Sequence, residues 1–345
     1  MAYTTIDNPG LFFNTVLYTG NATARTITTG LETTDWIWNK RRDNSGSHLL
    51  YDKVRGVNKD LNSDSTEAEE TQVGTVTAFG TDNFTLGTHG GTNANGETKA
   101  NWCWSAGGTT GSSNSDGSTT STVSANTTAG FSIVSWTGTG SATTLGHGLS
   151  AIPKWYIVKN RSTGSTQWRV YHASLGATKH MALDATQVVG TASSIFNNTE
   201  PTSSVFSVGT DTAANNSGDS LIAYVFAEKK GYSKFGKYTG NGNEDGTFIY
   251  TGFKPAWVMN KRTDTTNNWI IQDSKRNGFN ADNPILKANT NDAEQAVHEM
   301  DFVSNGFKIK TTGAGSNASG GTYIFMAFAE APFVTSGTKA AGTAR

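Results

Sequence analysis

Six histidines, one cysteine and 28 acidic side chains are the groups through which this chain could do chemistry. A general base or a nucleophile needs partners within hydrogen-bond reach, and a metal centre needs ligands at recognisable spacings. His48, His89, His147, His172, His180 and His298 share no spacing, and no Gly-x-Ser-x-Gly elbow, His-Glu-x-x-His pair or phosphate-binding loop accompanies them. His147 and His172 could meet through folding, but satisfied or exposed histidines are the simpler reading. Oxygen donors of the kind calcium prefers gather in Asn241-Gly242-Asn243-Glu244-Asp245-Gly246 and in Asp211-Thr212-Ala213-Ala214-Asn215-Asn216. Neither run has the spacing of an EF-hand loop, and such runs equally make turns. The remaining carboxylates are scattered, so no glycosidase pair is assignable. Cys103, between Trp102 and Trp104, reads as a buried inert thiol. Tyr3, Tyr232 and loop aromatics are candidates for stacking on sugars, without assignment. No catalytic residue, metal ligand or cofactor is therefore expected, and the chain reads as a non-enzyme.

What the sequence does repeat is scaffold. Trp36-Ile37-Trp38-Asn39-Lys40 returns as Trp155-Tyr156-Ile157-Val158-Lys159 and as Trp257-Val258-Met259-Asn260-Lys261. Period-two alternation puts the Trp, the middle residue and the Lys of each copy on one face of a strand. The tryptophans read as core anchors. The lysines are expected at strand ends, heads in water or beside a carboxylate. An aromatic followed by Thr-Gly (Tyr18, Trp136, Tyr238) precedes each Trp by 18, 19 and 19 residues, and reads as a strand entering a Gly-dependent turn. Each unit closes on a strand ending at Trp104, Phe226 or Phe328, which is 86, 90 and 90 residues from its first landmark. Such regularity over three copies marks a tandem repeat.

The units are expected over 11–106, 130–230 and 231–333, with a lead at 1–10, a Gly/Ser/Thr-rich linker at 107–129 and a tail at 334–345. A single helical turn is expected at Thr66-Glu67-Ala68-Glu69 and Asn291-Asp292-Ala293-Glu294. About eight short strands per unit, with no long helix between them, predict an all-β protein of three antiparallel β-sandwich modules, jelly-roll or lectin-like. The modules are expected to fold as separate beads, the first on a long tether and the second and third packed together. Alternatively, three copies in one chain imitate a trimer about a quasi-threefold axis.

Composition narrows the function. Charged residues are 16% of 345 and the net charge is -1, which disfavours nucleic-acid binding. One cysteine permits no internal disulfide, in keeping with a reducing compartment. The start of the chain lacks the pattern of a secretory signal, and no apolar run approaches the ~20 residues of a membrane span.

Several stretches resemble a family of repeat proteins encoded by marine and cyanobacterial bacteriophages, labelled tail-fibre-like or virion proteins. They are Tyr18-Thr19-Gly20-Asn21; Gly146-His147-Gly148-Leu149 with Pro153 and Lys159; Tyr171-His172-Ala173-Ser174-Leu175-Gly176; Tyr238-Thr239-Gly240-Asn241-Gly242 with Gly252-Phe253-Lys254-Pro255-Ala256; and Met326-Ala327-Phe328-Ala329-Glu330-Ala331-Pro332-Phe333. The resemblance implies a virion component assembled in the host cytoplasm and transfers no catalytic residue. The leading expectation is a tail-fibre or receptor-binding protein. A head fibre or capsid decoration protein is second and a polysaccharide depolymerase third. Its expected partners are other tail or capsid proteins and a host-surface glycan or protein, and by analogy with fibres it is a homo-oligomer, a trimer.

Overall fold

The computed structural model describes residues 3–277, 280 and 283–335. The tail expected from 334 onward lies outside them after Thr335, as does the start of the lead.

Each repeat folds into a large sheet carrying a smaller one. In the first module Phe13–Thr19, Thr98–Trp104, Trp36–Arg41, Leu49–Asp52, Lys59–Asn62 and Glu70–Thr71 lie side by side in that order. The second repeats this order with Phe131–Thr137, Ser220–Ala227, Pro153–Asn160, Arg169–His172, Lys179–Ala182 and Gly190–Thr191. The third does so with Ser233–Thr239, Thr322–Pro332, Phe253–Arg262, Trp269–Asp273 and Leu286–Lys287. All named pairings are antiparallel. The small sheets hold three, two and three strands. The fold is an all-β sandwich.

Alternation gives each large sheet two buried faces. Ile37, Tyr51 and Cys103 pack toward the first module's small sheet with Ile27, Phe84 and Leu86. The opposite face carries Trp36, Trp38, Trp102 and Trp104, which join Phe131, Trp155, Tyr224, Phe226, Trp257 and Phe328 of the other modules in one shared core. Trp36 stacks on Tyr224 at 4.3 Å between ring centroids, and Trp104 meets Trp257 edge-on at 5.8 Å. The repeated tryptophans are thus core anchors, but of the junction between modules rather than of each sandwich. The expected separate beads are therefore corrected. A face lined with indoles cannot remain in water when two copies of itself are available to cover it.

The linker expected over 107–129 is also corrected. Ser112–Asn114 and Ser121–Asn126 extend the second module's sheet beyond Phe131–Thr137. Threonine suits such an edge because it favours extended backbone, and the serine hydroxyls are satisfied locally: Ser124 donates to Ala106 O and Ser121 to Gly146 O. The lead is tied down as well, Thr4 Oγ1 donating to Lys230 O at 2.7 Å and Ile6 entering the shared core.

The Thr-Gly turns have a steric cause. A Cβ on Gly20, Gly138 or Gly240 would lie 2.0, 2.0 or 2.4 Å from the carbonyl oxygen of Ala94, Asn216 or Ala318. Beside each glycine a buried asparagine, Asn93, Asn215 or Asn317, clamps the turn. Asn215 accepts from Thr139 N at 3.0 Å and donates to Ser141 O at 2.7 Å and Gly209 O at 2.9 Å. Gly138→Ala is expected to cost ~1–3 kcal/mol through overpacking. Unfolding in urea measures it, and an unchanged midpoint would contradict the close approach.

Candidate functional site

The repeated lysines face the neighbouring module, not solvent. Lys40, Lys159 and Lys261 are fully buried, and burial pushes each ammonium down to about 8. Lys40 donates to Asn291 O of the third module at 3.4 Å, Lys159 to Thr66 O of the first at 2.9 Å, and Lys261 to Thr186 O of the second at 3.3 Å. The contacts run first to third, second to first and third to second. That is a closed ring with quasi-threefold character. The segments expected as helical turns at 66–69 and 291–294 are irregular instead, because their carbonyls and amides serve the next module. Glu69 N donates to Arg161 O at 2.9 Å, Val189 N to Thr263 O at 3.0 Å and Glu294 N to Arg42 O at 2.8 Å.

Among the described residues, guanidinium–carboxylate pairs reinforce two junctions and not the third. Buried Arg55 binds Asp52 and reaches Glu69 at 3.1 Å, and Glu69 also pairs with Arg161 of the second module at 2.8 Å. Arg276, Asp273, Glu294 and Arg42 repeat this set between the third and first modules. Between the second and third modules the equivalent positions are His172, Leu175, Val189 and Thr263, and the His172 ring bonds Phe325 O at 3.3 Å.

Most sequence candidates are accounted for by scaffold. His48 stands where the other modules have Trp168 and Trp269. All three ring nitrogens bond a backbone carbonyl of the next module: Lys287 O at 3.0 Å, Asn62 O at 2.8 Å and Ala182 O at 2.8 Å. His147 bonds Thr202 O at 3.3 Å and His298 bonds Asp301 at 2.7 Å. His147 and His172 thus serve different partners. In 241–246 the side chains of Asn241 and Asn243 accept from backbone amides two residues on, at 3.0 and 2.9 Å, which is turn chemistry. Asp211 caps Thr212–Asn215, accepting from Ala213 N at 3.0 Å. Among the described residues no three His, Cys, Asp or Glu side chains gather closely enough to hold a metal ion. Cys103 is fully buried, and burial raises its thiol. Tyr232, a candidate for exposure, is fully buried in the shared core.

Two surface features remain. A cleft of about 360 Å³ opens at the rim of the first module, lined in part by Leu49, Asp60, Glu67, Glu70, His89 and Lys99. Lys99 and Arg41 are paired there with Glu97. Asp60 and Glu70 are direct cross-strand partners. Asp60 is only 7% exposed and its Oδ1 closes no hydrogen bond of ordinary geometry. Burial raises its carboxyl to about 6, against the opposing pull of the Tyr51 hydroxyl, Arg55 and His89. Sequence spacing missed this cleft because its residues are not repeated. The second feature is an aromatic pair on the edge strand Phe248–Tyr250 of the third module. Phe248 and Tyr250 are 46% and 56% exposed while Ile249 between them is buried.

No curated protein matches the chain. A family model described as a domain of unknown function matches residues 8–332, nearly all of the three-module ring, and the chain therefore belongs to the DUF7483 family.

Proposed function

We propose that this chain is a bacteriophage virion structural protein, a tail-fibre or receptor-binding component that attaches the particle to its host through the third module. The observation that carries this reading is the pair Phe248 and Tyr250. The matching positions, beside the buried Ile27 and Leu145, hold Thr26 and Thr28 in the first module and Thr144 and Gly146 in the second. The other modules do without aromatics there, and although the Tyr250 hydroxyl bonds that of Tyr3, exposing two ring faces to water is unfavourable unless a ligand covers them. Lys234, Lys237 and Thr247 border the same open surface. Flat rings beside cations and hydroxyls suit a host-surface glycan, whose apolar ring faces stack and whose polar groups hydrogen-bond. The ring of locked modules supplies the rigid support such a contact requires.

Purified protein added to host cells is expected to reduce adsorption of the phage that encodes it, and Phe248→Ser with Tyr250→Thr is expected to abolish that competition. Competition by the double variant equal to that of the wild type would remove the receptor-binding reading. It would leave a head fibre or capsid decoration protein as the alternative.

A further inference from the structure

The second module contains its own occupant for the place that is open in the first. Register aligns Leu49 with Arg169 and Asp60 with His180, since Leu50 pairs with Leu61 as Val170 pairs with Met181. His89 and Asp211 are likewise equivalent, each capping a four-residue helical turn. In the second module the Arg169 guanidinium spans this space, donating to Asp211 at 3.2 and 3.3 Å and to Gln167 Oε1 at 2.8 Å. In the first, Leu49 is too short to do so, and a cleft of about 360 Å³ results.

The electrostatics of the open copy ask for a cation. Asp60 and Glu70, the latter exposed and accepting from Gln72 Nε2 at 2.7 Å, are direct cross-strand partners, an arrangement of like charges that a cation between them would relieve. Among the described residues neither carboxylate has an ion-pair partner: Arg41 and Lys99 are taken by Glu97, and Arg55 by Asp52 and Glu69. The Tyr51 hydroxyl lies beside the buried Asp60 carboxylate and pulls its titration down, yet neither that hydroxyl nor Asp60 Oδ1 closes a hydrogen bond of ordinary geometry. A planar guanidinium has the donors to serve several acceptors in one plane.

We propose that the cleft of the first module binds a guanidinium group supplied from outside the chain, in the position that Arg169 fills from within the second. This holds whether or not the third module binds a host receptor. The group comes either from a free guanidino solute or from an arginine side chain of a protein partner.

The test is an NMR titration of the whole chain with methylguanidinium, with methylurea as its neutral isostere. Methylguanidinium is expected to shift amides around Leu49 and His89, and methylurea to bind at least ~10-fold more weakly, the loss expected for a charge-assisted contact. Leu49→Arg, which copies the second module, is expected to plug the cleft and abolish the shifts. Asp60→Asn is expected to weaken them ~10-fold or more while circular dichroism stays that of the wild type. Arg169→Leu is expected to open a second site, seen as new shifts near Asp211. Free arginine binding as tightly as capped N-acetylarginine N-methylamide would assign a solute, and a preference for the capped form an arginine of a partner. No shift with methylguanidinium, equal binding of methylurea, or unchanged binding by Leu49→Arg would each overturn the proposal.

Discussion

Arg55→Met is expected to destabilise the protein by ~3–5 kcal/mol, because it strands a buried carboxylate rather than merely deleting a contact. The Arg55 guanidinium is enclosed at the junction of the first and second modules. It serves Asp52, Glu69 at 3.1 Å, Leu50 O at 2.7 Å, Lys59 O at 3.0 Å and the Tyr224 hydroxyl at 3.3 Å. Methionine fills the volume but donates to none of these. Asp52, fully buried, would then keep only the Tyr224 hydroxyl at 2.8 Å and the Arg55 backbone amide at 2.8 Å as donors. The junction of the second and third modules does without these charges, placing Leu175, Val189 and Thr263 at the positions of Arg55, Glu69 and Arg161. Removing the charges together, through Asp52→Asn, Arg55→Leu, Glu69→Val and Arg161→Thr, is therefore expected to cost less than Arg55→Met alone. Urea unfolding at pH 7, followed by the fluorescence of the junction tryptophans, measures both. A cost below about 1 kcal/mol for Arg55→Met, or a larger one for the fourfold variant, would show that the network carries little of the junction's stability.

The triplication was legible because a strand's period of two and a steady spacing survive divergence. Trp36-Ile37-Trp38, Trp155-Tyr156-Ile157 and Trp257-Val258-Met259 announce strands with two apolar faces. What the second face packs against was not legible, since alternation looks the same whether the cover is a module's own sheet or its neighbour. A clue was nonetheless present. Lys40, Lys159 and Lys261 share a face with the tryptophans, and a cation recurring there points to a junction with carbonyls to spare. The asparagines also carried a signal, each standing nine residues before the middle of the closing strand: Asn93 before Trp102, Asn215 before Tyr224, Asn317 before Met326. The strands within 107–129 were hidden by composition, because an edge strand with one wet face needs few apolar side chains. The cleft around Asp60 and the exposed Phe248 and Tyr250 are departures from the repeat. Departures become visible only once equivalent positions are aligned in space.

Acid is expected to loosen the junction between the second and third modules through His172. Its ring lies between Trp155, 5.2 Å away and edge-on, and the backbone of the third module, with Nε2 on Phe325 O at 3.3 Å and Nδ1 accepting from Ser174 N at 2.9 Å. Both contacts are satisfied only by the neutral imidazole with its hydrogen on Nε2, because a protonated Nδ1 would face the Ser174 amide. Burial accordingly pushes the imidazolium down to about 4, from an ordinary value near 6.5. The unfolded chain binds the proton first as pH falls. The stability contributed by His172 is thus complete above pH 6.5, declines below it and is gone once pH passes 4, a swing of about 3 kcal/mol. Asp60 opposes this in part of the window, since its carboxyl is raised to about 6 and the folded state binds that proton first. The comparison is therefore between the wild type and His172→Gln, which keeps a donor for Phe325 O and loses the titration. At pH 7 the variant is expected to be the less stable by ~1 kcal/mol, the worth of the Ser174 contact. On lowering the pH to 4 the wild type is expected to lose about 3 kcal/mol more than the variant, so that the order inverts. Parallel urea midpoints for the two proteins across pH 7 to 4 would mean that this ring titrates alike in folded and unfolded chains, and that the second and third modules are not held by a neutral histidine.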